Sequence, residues 1–126
     1  MARWKPTRAA DWAPVVDLAQ YCQPKDYATA YAACYVTLPE ARDVQISLGS
    51  NDWAKLWVNG ALVLNSHPAN GRPVLLDDDI VPIKMPAGAS RILLKVSNLA
   101  KSWGFCFRVT DTSGNPLKDT RFSLRP

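Results

Sequence analysis

The chain is poor in the histidine and cysteine residues from which zinc sites are built. Its 126 residues include a single histidine and three cysteines. No CxxC pair occurs, so a zinc site would need Cys22, Cys34 and Cys106 to converge with His67 from distant parts of the chain. An odd number of cysteines also leaves at least one outside any disulfide within the chain. We therefore interpret the cysteines as small buried residues, two of which could form a bridge.

Catalytic arrangements are equally scarce. A Ser-His-Asp triad would have to use His67, which lies in a loop rich in proline and asparagine with no nucleophile elbow nearby. Paired carboxylates for glycoside hydrolysis must lie about 5–10 Å apart across a cleft. Glu40 is the only glutamate and falls in a predicted turn, and most aspartates fall in turns as well, where they favour ordinary structure. We expect no catalytic residues and no enzyme activity.

Long hydrophobic runs and charge of one sign are also missing. No apolar run approaches the roughly 20 residues that span a membrane, and residues 1–6 lack the apolar centre of a signal peptide. The chain is therefore either cytoplasmic or a module of a longer secreted protein. The net charge is +4, and the 15 basic residues are scattered rather than clustered. We expect neither nucleic acid nor membrane as a partner.

What the sequence does contain is strand-like alternation at a spacing of about ten residues, the pattern of a β-sandwich or barrel. Asn59 and Gly60 separate two short apolar runs, and Asn-Gly is the strongest short-range signal for a hairpin with a type I′ turn. Pro82 indicates an edge strand. About eight strands are predicted, over residues 28–38, 43–48, 54–58, 61–64, 80–83, 91–97, 103–110 and 120–124, with turns that include residues 49–52. Residues 1–27 are predicted to be a lead-in that packs on the sandwich of residues 28–126, within one domain.

The same alternation assigns a core. The predicted core residues are Val36, Leu38, Val44, Ile46, Leu48, Leu56, Val58, Leu62, Ile92, Leu94, Val96, Phe105, Phe107 and Val109. Burial of each contributes roughly 1.5–3 kcal/mol. A core of this size can hold the domain without a metal or a disulfide.

Four segments of the chain carry a resemblance to a known family. They are YAACYV at residues 31–36, GSNDWAKLWVNG at 49–60, RILLKV at 91–96 and WGFCFR at 103–108. Their order resembles that in galactose-binding-like jelly-roll modules of bacterial glycoside hydrolases, polysaccharide lyases and sugar esterases, where GSDDGVKVWLNG is followed by NRLLVKV and GWGFSLR. The resemblance covers about residues 28–116. It implies an all-β jelly-roll sandwich and non-catalytic carbohydrate binding, in an extracellular or periplasmic protein with a neighbouring catalytic domain.

The candidate binding residues are those that could stack on a sugar ring or hydrogen-bond its hydroxyl groups. In the turn at 49–52, Asn51 replaces the first Asp of the family pattern, and Trp53 follows where the family carries Gly. We therefore expect Trp53 to be the main stacking platform. The full set of expected carbohydrate-binding residues is Trp53, Trp57, Asn51, Asp52, His67, Arg72, Lys101 and Trp103. For Trp57 and Trp103 the alternative is a packing role.

Two alternatives stay open at this point. The run Asp77-Asp78-Asp79 could supply oxygen ligands to a structural calcium, or it could be a solvated turn before the edge strand; no other cofactor is expected. The module could also be a structural or protein-interaction domain that braces a neighbouring domain. An exposed aromatic pair would favour a polysaccharide or oligosaccharide ligand, whereas a broad apolar patch would favour a protein partner.

Overall fold

The computed structural model describes Trp4, Pro6, residues 15–22 and residues 26–126. This described part is an all-β sandwich of two antiparallel sheets with one four-residue helix. The elements are β1 Val16–Asp17, α1 Leu18–Tyr21, β2 Thr29–Leu38, β3 Arg42–Ser50, β4 Trp53–Val58, β5 Ala61–Ser66, β6 Asp79–Met85, β7 Gly88–Ser97, β8 Gly104–Thr110 and β9 Arg121–Ser123. No helix among these described residues is long and apolar enough to cross a membrane.

The strand order identifies the sandwich as a jelly roll. One sheet has the order β1-β8-β3-β6 and the other β5-β4-β7-β2-β9. From β1 to β8 the chain changes sheet at every step except the β4–β5 hairpin, which is how two Greek keys wrap into a jelly roll. The predicted fold class is therefore confirmed. Strand β6 lies at a sheet edge, as Pro82 predicted.

The described part of the lead-in is built into the sandwich. Val16 and Asp17 pair with Phe105 and Gly104 at the edge of the four-stranded sheet. Gly104 permits this close approach, because a Cβ there would lie 2.7 Å from the carbonyl oxygen of Val16. Residues 7–14 of the lead-in lie outside the described residues.

The β4–β5 hairpin turns at Asn59 and Gly60, whose φ angles of 49° and 87° are both positive, as a type I′ turn requires. The predicted hairpin is confirmed. The turn pairs Val58 with Ala61 and Trp57 with Leu62, and a shift of register between Leu56 and Trp57 marks a β-bulge beyond these pairs, at Val63. The prediction that Leu62 belongs to the core is wrong, because the two-residue turn places Leu62 opposite Trp57, which points away from the core. The side chain of Leu62 is 52% exposed.

The core between the sheets consists of inward-facing residues from both. Apart from Leu62 and Phe107, every residue predicted for the core is buried. Phe107 is half-buried at the margin of the sandwich, where its ring meets that of Phe122 edge-on at 6.3 Å. The structure adds Met85 and Trp103 to the core.

The predicted turn at residues 49–52 is shorter than expected. Strand β3 continues two residues into it, and Gly49 pairs with Cys106 of β8. Asn51 and Asp52 turn the chain, and the peptide bond between them is cis. Gly49 has a separate role, because a Cβ there would lie 1.9 Å from the carbonyl oxygen of Leu75. Glycine at this position lets the loop after β5 cross directly over the four-stranded sheet.

Candidate functional site

Three loops meet at one end of the sandwich, which we call the loop end. They are residues 51–52 between β3 and β4, residues 67–78 between β5 and β6, and residues 98–103 between β7 and β8. All but one of the expected binding residues lie in or next to these loops: Asn51, Asp52, Trp53, His67, Arg72, Lys101 and Trp103. The remaining one, Trp57, lies on a sheet face.

Asp52 ties two of these loops together. Its side chain is buried, and its two carboxylate oxygens accept hydrogen bonds from the backbone N–H groups of Arg72 at 3.0 Å and Leu99 at 2.8 Å. Asn51 is also buried and donates from Nδ2 to the carbonyl oxygen of Arg72 at 2.6 Å. Both side chains are thus committed to the protein's own backbone, and they hold the loops in position.

The guanidinium group of Arg72 forms a second internal clamp. It donates from Nε to the carbonyl oxygen of Ser50 at 3.0 Å and from a terminal nitrogen to the Ser50 hydroxyl at 2.9 Å. It also pairs with the carboxylates of Asp79 at 2.5 Å and Asp78 at 3.8 Å. Arg72 therefore neutralises part of the acidic run and links it to the end of β3.

The third carboxylate of that run, Asp77, pairs with Arg108 of β8. The hydrogen bonds from Arg108 hold the pKa of the Asp77 carboxyl below its ordinary value. Arginine side chains therefore contact each member of the run where a calcium ion was the alternative. In the described parts of the chain, no group of three or more histidine, cysteine, aspartate or glutamate residues is arranged to hold a metal ion.

Trp53 is the expected stacking platform, and the structure places it against His67. The two rings stack with centroids 3.9 Å apart and planes 17° apart. The indole Nε1 donates to the carbonyl oxygen of Pro68 at 2.9 Å. Trp53 is half-buried, whereas His67 is exposed. One face of the indole is therefore covered by the chain itself, and the pair fastens the start of the loop after β5.

Trp103 and Lys101 border a cavity of about 640 Å³ that Asp17 and Asn51 also line. Trp103 is 2% exposed, and its Nε1 has no hydrogen-bond partner among the described residues. Its carbonyl oxygen accepts from the backbone N–H of Leu18 at 2.8 Å. Trp103 thus packs beneath α1, while Lys101 stays exposed at the rim.

Side chains of the five-stranded sheet that point away from the core form an open surface, which we call the five-stranded face. They alternate along each strand with the buried residues of the core. The face consists of Thr29, Tyr31, Ala33, Tyr35 and Thr37 of β2, Trp53, Lys55 and Trp57 of β4, Leu62 and Asn65 of β5, Ala89, Arg91, Leu93, Lys95 and Ser97 of β7, and Arg121 and Ser123 of β9.

Trp57 lies near the middle of this face and is half-buried. It is opposite Leu93 in the ladder, and Leu93 is opposite Ala33. From strand spacings of about 4.8 Å and a rise of about 3.3 Å per residue, the Cα of Trp57 lies about 12 Å from those of Tyr31 and Tyr35. Tyr31 is 52% exposed and Ala33 is exposed too, so the surface between the three aromatic residues is open.

Three cationic side chains surround Trp57. Lys55 lies two residues before it on β4, and Lys95 and Arg91 are its diagonal neighbours on β7, at separations of about 7–8 Å. Lys55 is directly opposite Lys95 in the ladder. Within the described residues, neither lysine takes part in an ion pair. The face therefore offers aromatic rings and free hydrogen-bond donors side by side.

The cysteines form no reactive centre. All three are free, and Cys106 donates weakly from Sγ to the carbonyl oxygen of Leu75 at 3.7 Å. Burial raises the pKa of Cys34 to about 11, and burial also raises the pKa of Cys106. Because the thiolate is the nucleophilic form, these two thiols stay protonated and unreactive near neutral pH.

The chain matches no protein-family model, no curated protein and no solved structure. Sequence alternation alone places Tyr31 and Tyr35 on one face of β2, but it does not reveal that Lys95 and Arg91 join Trp57. That grouping depends on the pairing of β7 with both β2 and β4, which brings together residues far apart in the chain.

Proposed function

We propose that the chain is a non-catalytic carbohydrate-binding module of the galactose-binding-like kind, and that glycan binds on the five-stranded face. The observation that carries this proposal is the half-buried Trp57 on an open sheet, with Tyr31 and Tyr35 each about 12 Å away across β7. Aromatic rings stack on the apolar C–H faces of sugar rings and expose little polar surface to desolvation. Three such rings spaced across a flat surface suit an extended chain of sugars better than a single one.

Polar groups around the rings supply the hydrogen bonds. Lys55 and Lys95 present ammonium donors beside Trp57, and Asn65 presents an amide opposite Lys55. Sugar hydroxyl groups need such donors and acceptors when they leave water. Binding by these contacts breaks no covalent bond, so the module would act by holding a polysaccharide near a catalytic domain.

The loop end has a supporting role in this proposal. Trp53 shares the five-stranded face with Trp57, four residues and about 13 Å away along β4. Its exposed partner His67 extends the surface at that margin. Asn51, Asp52 and Arg72 act indirectly, since their polar groups hold the loops that position this pair, while Lys101 and Trp103 lie at the adjoining cavity.

The cellular setting follows from the resemblance of residues 28–116 to modules of polysaccharide-acting enzymes. We propose that the module belongs to an extracellular or periplasmic glycoside hydrolase, lyase or esterase. Its neighbour would be the catalytic domain of the same chain. The jelly-roll strand order is consistent with this setting, because lectin domains also use that architecture.

Affinity electrophoresis tests the proposal. The chain would be run through gels that contain plant and algal polysaccharides, beside Trp57→Ala and the control Ile80→Ala. Ile80 is 51% exposed on the other sheet, so its truncation removes an apolar side chain away from the proposed site. We expect at least one polysaccharide to retard the parent and Ile80→Ala but not Trp57→Ala. Equal retardation of Trp57→Ala would place the site elsewhere.

A second candidate function is favoured by a different surface. Leu75, Leu76 and Ile80 are each more than half exposed, at 55%, 60% and 51%, over the outside of the four-stranded sheet. Adjacent exposed aliphatic side chains are typical of a surface that another domain covers. The module would then brace a neighbouring domain. Two results together would favour this function. No polysaccharide would retard the chain, and the chain would self-associate in a way that the double variant Leu76→Ser, Ile80→Ser abolishes.

A further inference from the structure

We infer that the ligand of the five-stranded face is an anionic polysaccharide, held by Lys55, Lys95 and Arg91 around Trp57. The inference rests on the proposed function and names the class of glycan. The supporting observation is that charge is distributed differently on the two sheets, a difference that is visible only once the strands are paired.

The pairing of Lys55 with Lys95 is the first observation. The two residues are directly opposite each other in the β4–β7 ladder, where Cβ atoms lie about 4.5–5.5 Å apart. Like charges in this arrangement repel and destabilise the pairing of the strands. No carboxylate among the described residues forms an ion pair with either lysine. An anion lying between the two ammonium groups would remove the repulsion.

The contrast with the other sheet is the second observation. On the four-stranded sheet Asp43 is opposite Lys84, and Asp77 pairs with Arg108, so cations there face carboxylates. Among the residues that the structure describes, the five-stranded face instead carries Lys55, Lys95, Arg91 and Arg121 and no aspartate or glutamate. The five-stranded face is therefore a positively charged surface, although the net charge of the whole chain is only +4.

The spacing of these cations favours an extended polymer of charged sugars. Arg91 and Lys95 lie four residues apart on β7, or about 13 Å, with Trp57 beside the midpoint between them. A sugar ring on Trp57 would bring carboxylate or sulfate groups of neighbouring rings to the cations on either side. A single-stranded nucleic acid, in contrast, is tracked by a basic groove along its many phosphates, and this face is an open sheet with four cations.

The test compares charged and neutral polymers on the whole chain. Binding of polygalacturonate and alginate, which carry carboxylates, would be measured beside carrageenan, which carries sulfates, and a neutral galactan. The double variant Lys55→Gln, Lys95→Gln is called the face variant. Its matched control is the double variant Lys84→Gln, Lys118→Gln, which removes the same net charge from exposed positions off this face. Single-stranded DNA serves as the competing polyanion.

We expect at least one anionic polysaccharide to bind, and the face variant to weaken that binding at least tenfold while the matched control stays within about twofold of the parent. Binding should also weaken as salt rises from about 0.05 to 0.5 M, because salt screens exposed charges. The face variant should melt at the same temperature as the parent or higher, since it relieves the repulsion between two lysines.

Several results would overturn the inference, and they separate it from the proposed function. One such result is binding of the neutral galactan alone, with that binding lost in Trp57→Ala but kept in the face variant. This result would support carbohydrate binding and refute the anionic ligand. An equal loss in both lysine variants would show an effect of net charge only. Tighter binding of single-stranded DNA than of any polysaccharide, abolished in the face variant, would assign the face to nucleic acid. Failure of every polysaccharide to bind would refute the proposed function and this inference together.

Discussion

The indole of Trp53 lies nearly parallel to the imidazole of His67, with ring centroids 3.9 Å apart. This contact joins the first residue of β4 to the loop that follows β5, and the hydrogen bond from Trp53 to Pro68 reinforces it. The stack makes Trp53 a structural fastener at the margin of the five-stranded face. Trp57, the residue proposed to contact the ligand, lies four residues further along β4 on the same face.

Trp53→Ala should destabilise the domain, because it removes a half-buried ring, a stacking partner and a hydrogen-bond donor. We expect a loss of about 2–4 kcal/mol in the free energy of unfolding. His67→Phe is the matched variant, since it keeps an aromatic ring on the indole and should cost less than about 1 kcal/mol. Denaturant melts measure both. If Trp53→Ala were as stable as the parent, the stack would not contribute to the free energy of unfolding.

Asp52→Ala should destabilise strongly, because two backbone N–H groups from different loops lose their acceptor. The expected cost is about 2–4 kcal/mol. Asp52→Asn should be intermediate, since an amide keeps one acceptor oxygen and presents a donor where the second oxygen was. Asp43→Asn, at an exposed position of β3, is the control. Equal melting temperatures for the Asp52 and Asp43 variants would contradict the assigned role.

The ion pair of Asp77 with Arg108 predicts a dependence of stability on pH. The hydrogen bonds from Arg108 lower the pKa of the Asp77 carboxyl in the folded protein below the ordinary value of 3.8. The pair therefore stabilises the fold above that ordinary value, and its contribution disappears as the pH falls through the lowered pKa. Asp77→Asn should lose less stability than the parent between about pH 5 and pH 2. If the parent and Asp77→Asn lost the same stability over this range of pH, the ion pair would not be the cause of the pH dependence.

Gly60→Val should destabilise the β4–β5 hairpin by about 1–3 kcal/mol, because a β-branched residue resists the φ of 87° at this position. A Cβ there would have only an Arg91 nitrogen within 4 Å, at 3.8 Å, so crowding is not the cause. Gly60→Asn should cost much less, since asparagine tolerates positive φ. Thermal melts of the two variants separate backbone strain from side-chain bulk. Similar melting temperatures for both would mean that φ is not the limiting factor.

Most of the fold could be predicted because it depends on local patterns. The alternation of Val44, Ile46 and Leu48 defines β3, and the Asn-Gly pair defines the turn of the hairpin. The core prediction fails at Leu62, because the two-residue turn pairs Leu62 with Trp57, which points away from the core. The β-bulge follows at Val63 without a signal in the alternation, and it brings Leu64 opposite the buried Leu56. A single extra residue reverses the side on which later residues lie.

The candidate site was harder to predict, because it depends on contacts between distant segments. In the sequence, Trp53 departs from the family pattern and Asp52 matches it, and both were candidates for binding. In the structure, the side chains of both contact the protein's own loops. The approach of Lys95 to Lys55 follows from the β4–β7 pairing across about 40 positions. Scattered basic residues along the chain thus become one surface in three dimensions.

The most direct test of the account is the dissociation constant for the polysaccharide that affinity electrophoresis identifies, measured by isothermal titration for the parent and for Trp57→Ala. The account predicts that Trp57→Ala binds at least tenfold more weakly, a loss of about 1.4 kcal/mol. Because the ring is half-buried, some loss of stability is expected too, so the titration is run well below the melting temperatures of both proteins. Equal dissociation constants for the two proteins would contradict the claim that the five-stranded face binds glycan.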